Sequence, residues 1–189
     1  MGSPRCPSDV EGQPKRLEME EQADLARWFY KTGLMVARQM AVTMDDDPST
    51  TLPTAHYAGL EDSFDLPPAS IVWIGRVDRP FYQRALWVQR FVWHDPALKG
   101  TQPADGYSLV LTIRDIVGFI AVLDTRQSRG SENNPPPFPL GALGPGKLLR
   151  IWPSSEHYGI LWPPSESFAL DEVQRLAKTF ERAAARQTS

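Results

Sequence analysis

Residues 17–42 carry the strongest helical pattern in the chain. Leu25, Trp28, Phe29, Thr32, Val36 and Met40 recur every three or four positions, the period of one helix face. Glu18, Glu20, Glu21 and Asp24 stand near its start, where carboxylates favour the positive end of the helix dipole. Gly33 weakens its middle, and the run of Asp45, Asp46, Asp47 and Pro48 stops it. A second amphipathic stripe, formed by Leu170, Val173, Leu176, Ala177, Phe180 and Ala184, predicts a C-terminal helix to about Arg186. Ser165 or Ser167 is the expected N-cap, and Asp171 with Arg175 is the expected i,i+4 pair.

Between the helices the period shortens. Residues 70–77, SIVWIGRV, are β-branched and read as a buried strand. Residues 80–93 fit neither period cleanly. We expect a short helix or turn starting at Pro80, then a strand with Leu86, Val88 and Arg90 on one face and Trp87, Gln89 and Phe91 on the other. Residues 107–125 hold two apolar runs split by Arg114 and Asp115, which reads as a hairpin of central strands covered on both faces. Residues 150–164, RIWPSSEHYGILWPP, read as another hairpin. In it Leu149, Ile151, Ile160 and Trp162 share a core face, while Arg150 and Trp152 point outward, with Trp152 over Gly159.

This order predicts an α+β fold: a single domain at residues 17–189, with a mainly antiparallel sheet and long N-terminal and C-terminal helices packed on it. Residues 1–16 are polar, without a period, and are expected to be a disordered tail. Residues 127–147 are dominated by proline and glycine and are expected to form a mobile loop.

Composition narrows the function. The chain has 189 residues, 41% hydrophobic and 23% charged, with a formal charge of −3. These are values of a globular chain. The acidic balance argues against a nucleic-acid partner and suits a protein partner, a basic one in particular. One cysteine, Cys6, excludes an internal disulfide and points to a cytoplasmic location. The first residues lack a secretory apolar region, and no apolar run has the length of a membrane span. Arginine outnumbers lysine, which we read as the codon bias of a GC-rich bacterial genome.

No motif nominates a catalytic residue, a cofactor or a metal. GALGPGK, residues 141–147, lacks the phosphate-loop spacing and precedes a strand. G-x-S-x-G and H-E-x-x-H are absent. His56, His94 and His157 lie in separate segments without ligand spacing. Residues 45–47 lack the rest of a calcium loop. PPPFP, residues 135–139, has a polyproline ligand's composition without a flanking arginine anchor. Arg76, Arg79, Arg84 and Arg90 alternate with Phe81, Tyr82, Trp87 and Phe91, a pattern compatible with single-stranded nucleic acid and more simply with core aromatics rimmed by cations.

The expectation is therefore a cytoplasmic protein-binding module of the adaptor, chaperone or toxin-neutralising immunity type. Its expected partner-binding residues are Arg150, Trp152, Glu156 and His157, because tryptophan and arginine dominate interface hot spots. The alternatives are a small enzyme using His94 or His157 with Asp95, Glu156 or Arg90, and a nucleic-acid-associated protein. Limited proteolysis should cut first at Arg126 or Arg129, at the entry to the Pro/Gly-rich loop. First cleavage inside either helix would contradict that reading.

Overall fold

A computed structural model describes residues 14–43, 52–53, 56–57, 65–67, 69–93, 104–123, 146–154 and 159–186. In order they form β1 (Lys15–Leu17), α1 (Met19–Thr43), β2 (Ser70–Trp93), β3 (Ala104–Leu123), β4 (Leu148–Trp152), β5 (Ile160–Trp162), β6 (Ser167–Phe168) and α2 (Leu170–Arg186). The protein mixes helix with a mainly antiparallel sheet. Of the described helices α1 is long, with 25 residues, and α2 is shorter, with 17. The order in the larger sheet is β3-β2-β4, with β6 also beside β2; β1 and β5 form a separate pair. β6 runs parallel to β2 and is the exception to the antiparallel pattern among the described strands.

The sheet has helices on both faces. α1 contributes Ala26, Phe29, Tyr30, Leu34 and Ala37 to a cluster with Val72, Ile74, Leu86, Leu109, Ile120 and Ile151. On the other face, α2 contributes Val173, Leu176 and Ala177 to a cluster with Phe91, Val110, Val117, Phe119 and Phe168. Leu86 and Val88 lie with the first cluster, and Trp87 and Phe91 with the second, as the alternation requires.

The hairpin expected within residues 107–125 does not exist. Both apolar runs belong to β3, which continues through Arg114 and pairs with β2 along its length. Arg114 takes φ 55°, a left-handed conformation that inserts an irregularity without reversing the chain. Odd residues 107, 109 and 111 face α1 before it; even residues 116, 120 and 122 face α1 after it. β2 is likewise one strand, not a helix followed by a strand. It takes nine steps from Arg76 to Ala85 while β3 takes four from Ile116 to Thr112. The turn-like residues around Pro80 are thus absorbed as bulge.

The face that α1 buries also differs from the apolar stripe. Its innermost residues include Ala26, Gly33 and Ala37, with Leu25, Trp28, Val36 and Met40 only partly buried. Small residues let the helix approach: a Cβ on Gly33 would stand 3.0 Å from Leu109 Cδ1. The Phe29 ring sits where a Cβ on Gly118 would be.

Both helices begin with the same device. Glu18 N donates to Glu21 Oε2 (3.1 Å), and Ala169 N donates to Glu172 Oε2 (2.8 Å), so a glutamate at the third helical position caps each start. Ser165 and Ser167 precede that cap; Ser167 lies in β6 opposite Arg76. Leu170, expected in the buried stripe, is exposed. The Asp171–Arg175 pair forms at 2.9 Å on the exposed side of α2.

Order begins earlier than expected. Lys15 and Arg16, assigned to the tail, pair with Trp162 and Leu161. Residues 1–13 and most of the 127–147 loop lie outside the described residues.

The Phe29–Gly118 contact is directly testable. Gly118→Ala should cost about 1–3 kcal/mol by overpacking, measured by urea unfolding. Adding Phe29→Leu should recover part of that loss. Additive costs in the double variant would mean the ring does not rest on this backbone.

Candidate functional site

The described strands of residues 150–164 do not pair with each other as the expected hairpin. β4 pairs with β2 and β5 pairs with β1, so residues 150–164 connect two sheets. Leu149, Ile151, Ile160 and Trp162 do reach the α1-side core. Arg150 is exposed and stands opposite Trp73. Trp152 stands opposite Val72 and packs on the same core, so the outward orientation expected for it is overturned. The cause is a register shift between Val72 and Trp73. Arg150 pairs with Trp73 and Trp152 with Val72, leaving Ile151 as the extra residue. A bulge of this kind puts two successive side chains on one face, here Ile151 and Trp152. Gly159 has φ 75° and is pressed by β1: a Cβ there would lie 2.8 Å from Leu17 O. Among the described residues Phe91 lies over a cross-strand glycine, Gly106. Glu156 and His157 lie outside the described residues, as do His94, Asp95 and the segments 45–47 and 135–139.

Other nominated chemistry has structural employment. Lys147, from the glycine-rich segment, places Nζ 2.7 Å from both carboxylate oxygens of Glu172 and 5.5 Å from the Phe168 ring centroid. The Lys147 hydrogen bond, then the Ala169 amide, hold the Glu172 carboxyl below its ordinary range. This pair fastens the start of β4 to the first turn of α2. In the Arg-aromatic segment, Trp87 and Phe91 pack against the α2-side core, so neither is presented as a stacking platform. The side chains of Phe81, Tyr82 and Arg84 are outside the described set.

One polar cluster was missed. Tyr107 Oη lies 2.6 Å from His56 Nδ1 and 3.0 Å from Tyr30 Oη, and Tyr30 Oη lies 3.2 Å from His56 Nδ1. Both tyrosines are 3% exposed. Burial pushes the Tyr30 hydroxyl up to about 12, against a smaller opposing effect of the Tyr107 hydrogen bond. Tyr30 therefore keeps its proton at neutral pH and is a donor rather than a nucleophile. Arg90 is paired with Tyr107 across the ladder and leaves the same face. Arg38 lies 5.9 Å from the Tyr57 ring centroid. No local motif announces this cluster: its hydrogen bonds span 26, 51 and 77 residues.

The second feature is the outer face of α1. Met35 is 56% exposed and Val42 79% exposed. They are seven residues apart, which places them on one side. Lys31 and Arg38, both exposed, lie on that side. No described helix is long and apolar enough to cross a membrane. Compared with known proteins, the chain matches no family model, no curated protein and no solved structure.

Because Trp152 faces the core, Trp152→Ala should destabilise the fold by about 2 kcal/mol, below the cost of a fully buried tryptophan. Chemical denaturation measures it. An unchanged midpoint would return Trp152 to the surface.

Proposed function

We propose that the chain is a protein-binding module of the bacterial cytoplasm, of the adaptor, chaperone or toxin-neutralising kind, with no catalysis of its own. The observation that carries this reading is the exposure of Met35 and Val42 on a helix whose opposite face is packed. Methionine suits such a surface because its unbranched, polarisable chain adapts to the partner. The lone Cys6 supports the compartment.

The occupant we propose is an apolar protein ridge rimmed by carboxylates. Lys31 and Arg38 flank the apolar pair, and rim charges set register and encounter rate. The net charge of −3 favours a basic partner at long range. Salt screens that attraction over about 8 Å, so the local cations decide the chemistry at contact. Arg150, exposed on the other side of the sheet, is not part of this face.

The test is retention of a protein from native extract on the immobilised chain, with and without substitutions. Met35→Asp combined with Val42→Asp should weaken retention at least tenfold while the domain stays folded, at a cost of about 1 kcal/mol from the low helix propensity of aspartate and its place near the negative end of α1. Lys31→Glu with Arg38→Glu should weaken it and reduce its salt dependence. Retention that survives both pairs moves the interface off α1. A wild-type chain that retains nothing at low salt sinks the binding-module reading.

A further inference from the structure

α1 carries a second stripe besides the one it buries. Glu21, Asp24, Trp28, Lys31, Met35, Arg38 and Val42 follow one another at alternating steps of three and four residues, the spacing of a seam between two helices. All seven lie off the buried face: Glu21 and Trp28 are half-buried, and the others are exposed. One set, seven residues apart, is apolar from Trp28 through Met35 to Val42. The set between them, Asp24, Lys31 and Arg38, is charged. The sign changes along the helix, with Glu21 and Asp24 near its start and Lys31 and Arg38 further on. A parallel copy of this stripe would set like charges side by side. An antiparallel copy sets the acidic stretch against the basic one at both ends of the contact.

We infer that a second copy of this chain docks on this face, with the two α1 helices antiparallel about a two-fold axis between Trp28 and Lys31. The inference rests on the docking-face reading above and names its occupant. The ridge which that face requires, apolar and rimmed by carboxylates, is present on α1 itself as Trp28 beside Glu21 and Asp24. A two-fold axis makes such a patch its own partner. The seam register sets Glu21 opposite Arg38 of the second copy. Asp24 then faces Met35 of the second copy, between that copy's Lys31 and Arg38, and Trp28 faces Lys31, whose cation the indole ring attracts. Glu21 and Asp24 also hold Lys15 and Arg27 of their own chain, and a carboxylate accepts from more than one cation. Each copy carries −3 overall. That repulsion is spread over the surface and screened beyond about 8 Å, so the charges at the contact decide.

Sedimentation velocity of the full chain tests it. A contact between two single helices is small, below about 1,200 Å², so the dimer is weak, with a dissociation constant on the order of 10–100 μM. The wild type should pass from monomer to dimer between about 5 μM and 0.5 mM, and added salt should loosen the dimer. Lys31→Glu with Arg38→Glu makes the stripe acidic throughout, and Glu21→Lys with Asp24→Lys makes it basic throughout. Each pair should weaken self-association at least tenfold, and mixing the two variants in equal amounts should restore dimers. If loss of the Glu21 cap unfolds the basic variant, Met35→Glu takes its place and should also weaken the dimer at least tenfold. A monomer at every concentration, a dimer tightened by salt, or a dimer indifferent to these substitutions overturns the inference. A monomer that still retains a different protein through Met35 and Val42 removes the second copy and leaves the docking face standing.

Discussion

β3 is dry on both faces, with every described side chain from Gly106 to Thr112 and from Ile116 to Val122 buried. A strand with no wet face requires a layer on each side. α1 supplies one and α2 the other. Partners across a ladder share a face, which couples the irregularities of the two long strands. β3 changes the parity of its α1-facing residues at Arg114, while β2 keeps even-numbered residues, Val72, Ile74, Leu86 and Val88, toward α1 throughout. Their register must therefore shift by an odd number of residues, and it shifts by five. A surplus of four or six would turn half of the ribbon inside out.

Much of this was legible from period alone. α1, the strands at residues 70–77 and 85–93 and the apolar runs at 108–113 and 117–123 follow from spacing and β-branched runs, and the distribution of Leu86, Trp87, Val88 and Phe91 between faces follows from alternation. The errors arise where one extra residue resets that alternation. Arg114 with Asp115 has a turn's composition, and only pairing to β2 distinguishes a kink in one strand from a hairpin. Trp152 was placed outward by strict alternation, which the bulge at Ile151 breaks. Hydropathy also misjudged part of α1, because Ala26, Gly33 and Ala37 join Phe29, Tyr30 and Leu34 on its buried face through small size rather than apolar area.

The functional features were less legible. Glu156 and His157 sit together in sequence and lie outside the described residues. His56 was one of three histidines without a motif, and its partners arrive from a helix and a strand far along the chain. Tyr30 looked like one member of an aromatic run, Trp28-Phe29-Tyr30. Its distinguishing property, a hydroxyl needing a buried partner, is shared by any buried tyrosine. The exposed pair on α1 has the opposite problem: Met35 and Val42 look like core residues until the helix is seen to bury the face of Ala26, Phe29, Tyr30, Gly33, Leu34 and Ala37.

The tyrosine–histidine triangle also bears on why a buried polar cluster would sit beside an otherwise apolar core. Phenylalanine at 30 and 107 would fill nearly the same volume with no hydroxyl to satisfy. Each neutral hydrogen bond contributes about 1 kcal/mol net, whereas a buried polar group without a partner costs about 1–3 kcal/mol. The cluster therefore adds little stability when complete and subtracts more when disturbed. That asymmetry specifies position better than it adds strength. A greasy contact would let the segment carrying Leu52 and His56 slide over the sheet, since apolar burial is non-directional. Three polar atoms that must all meet allow one seating.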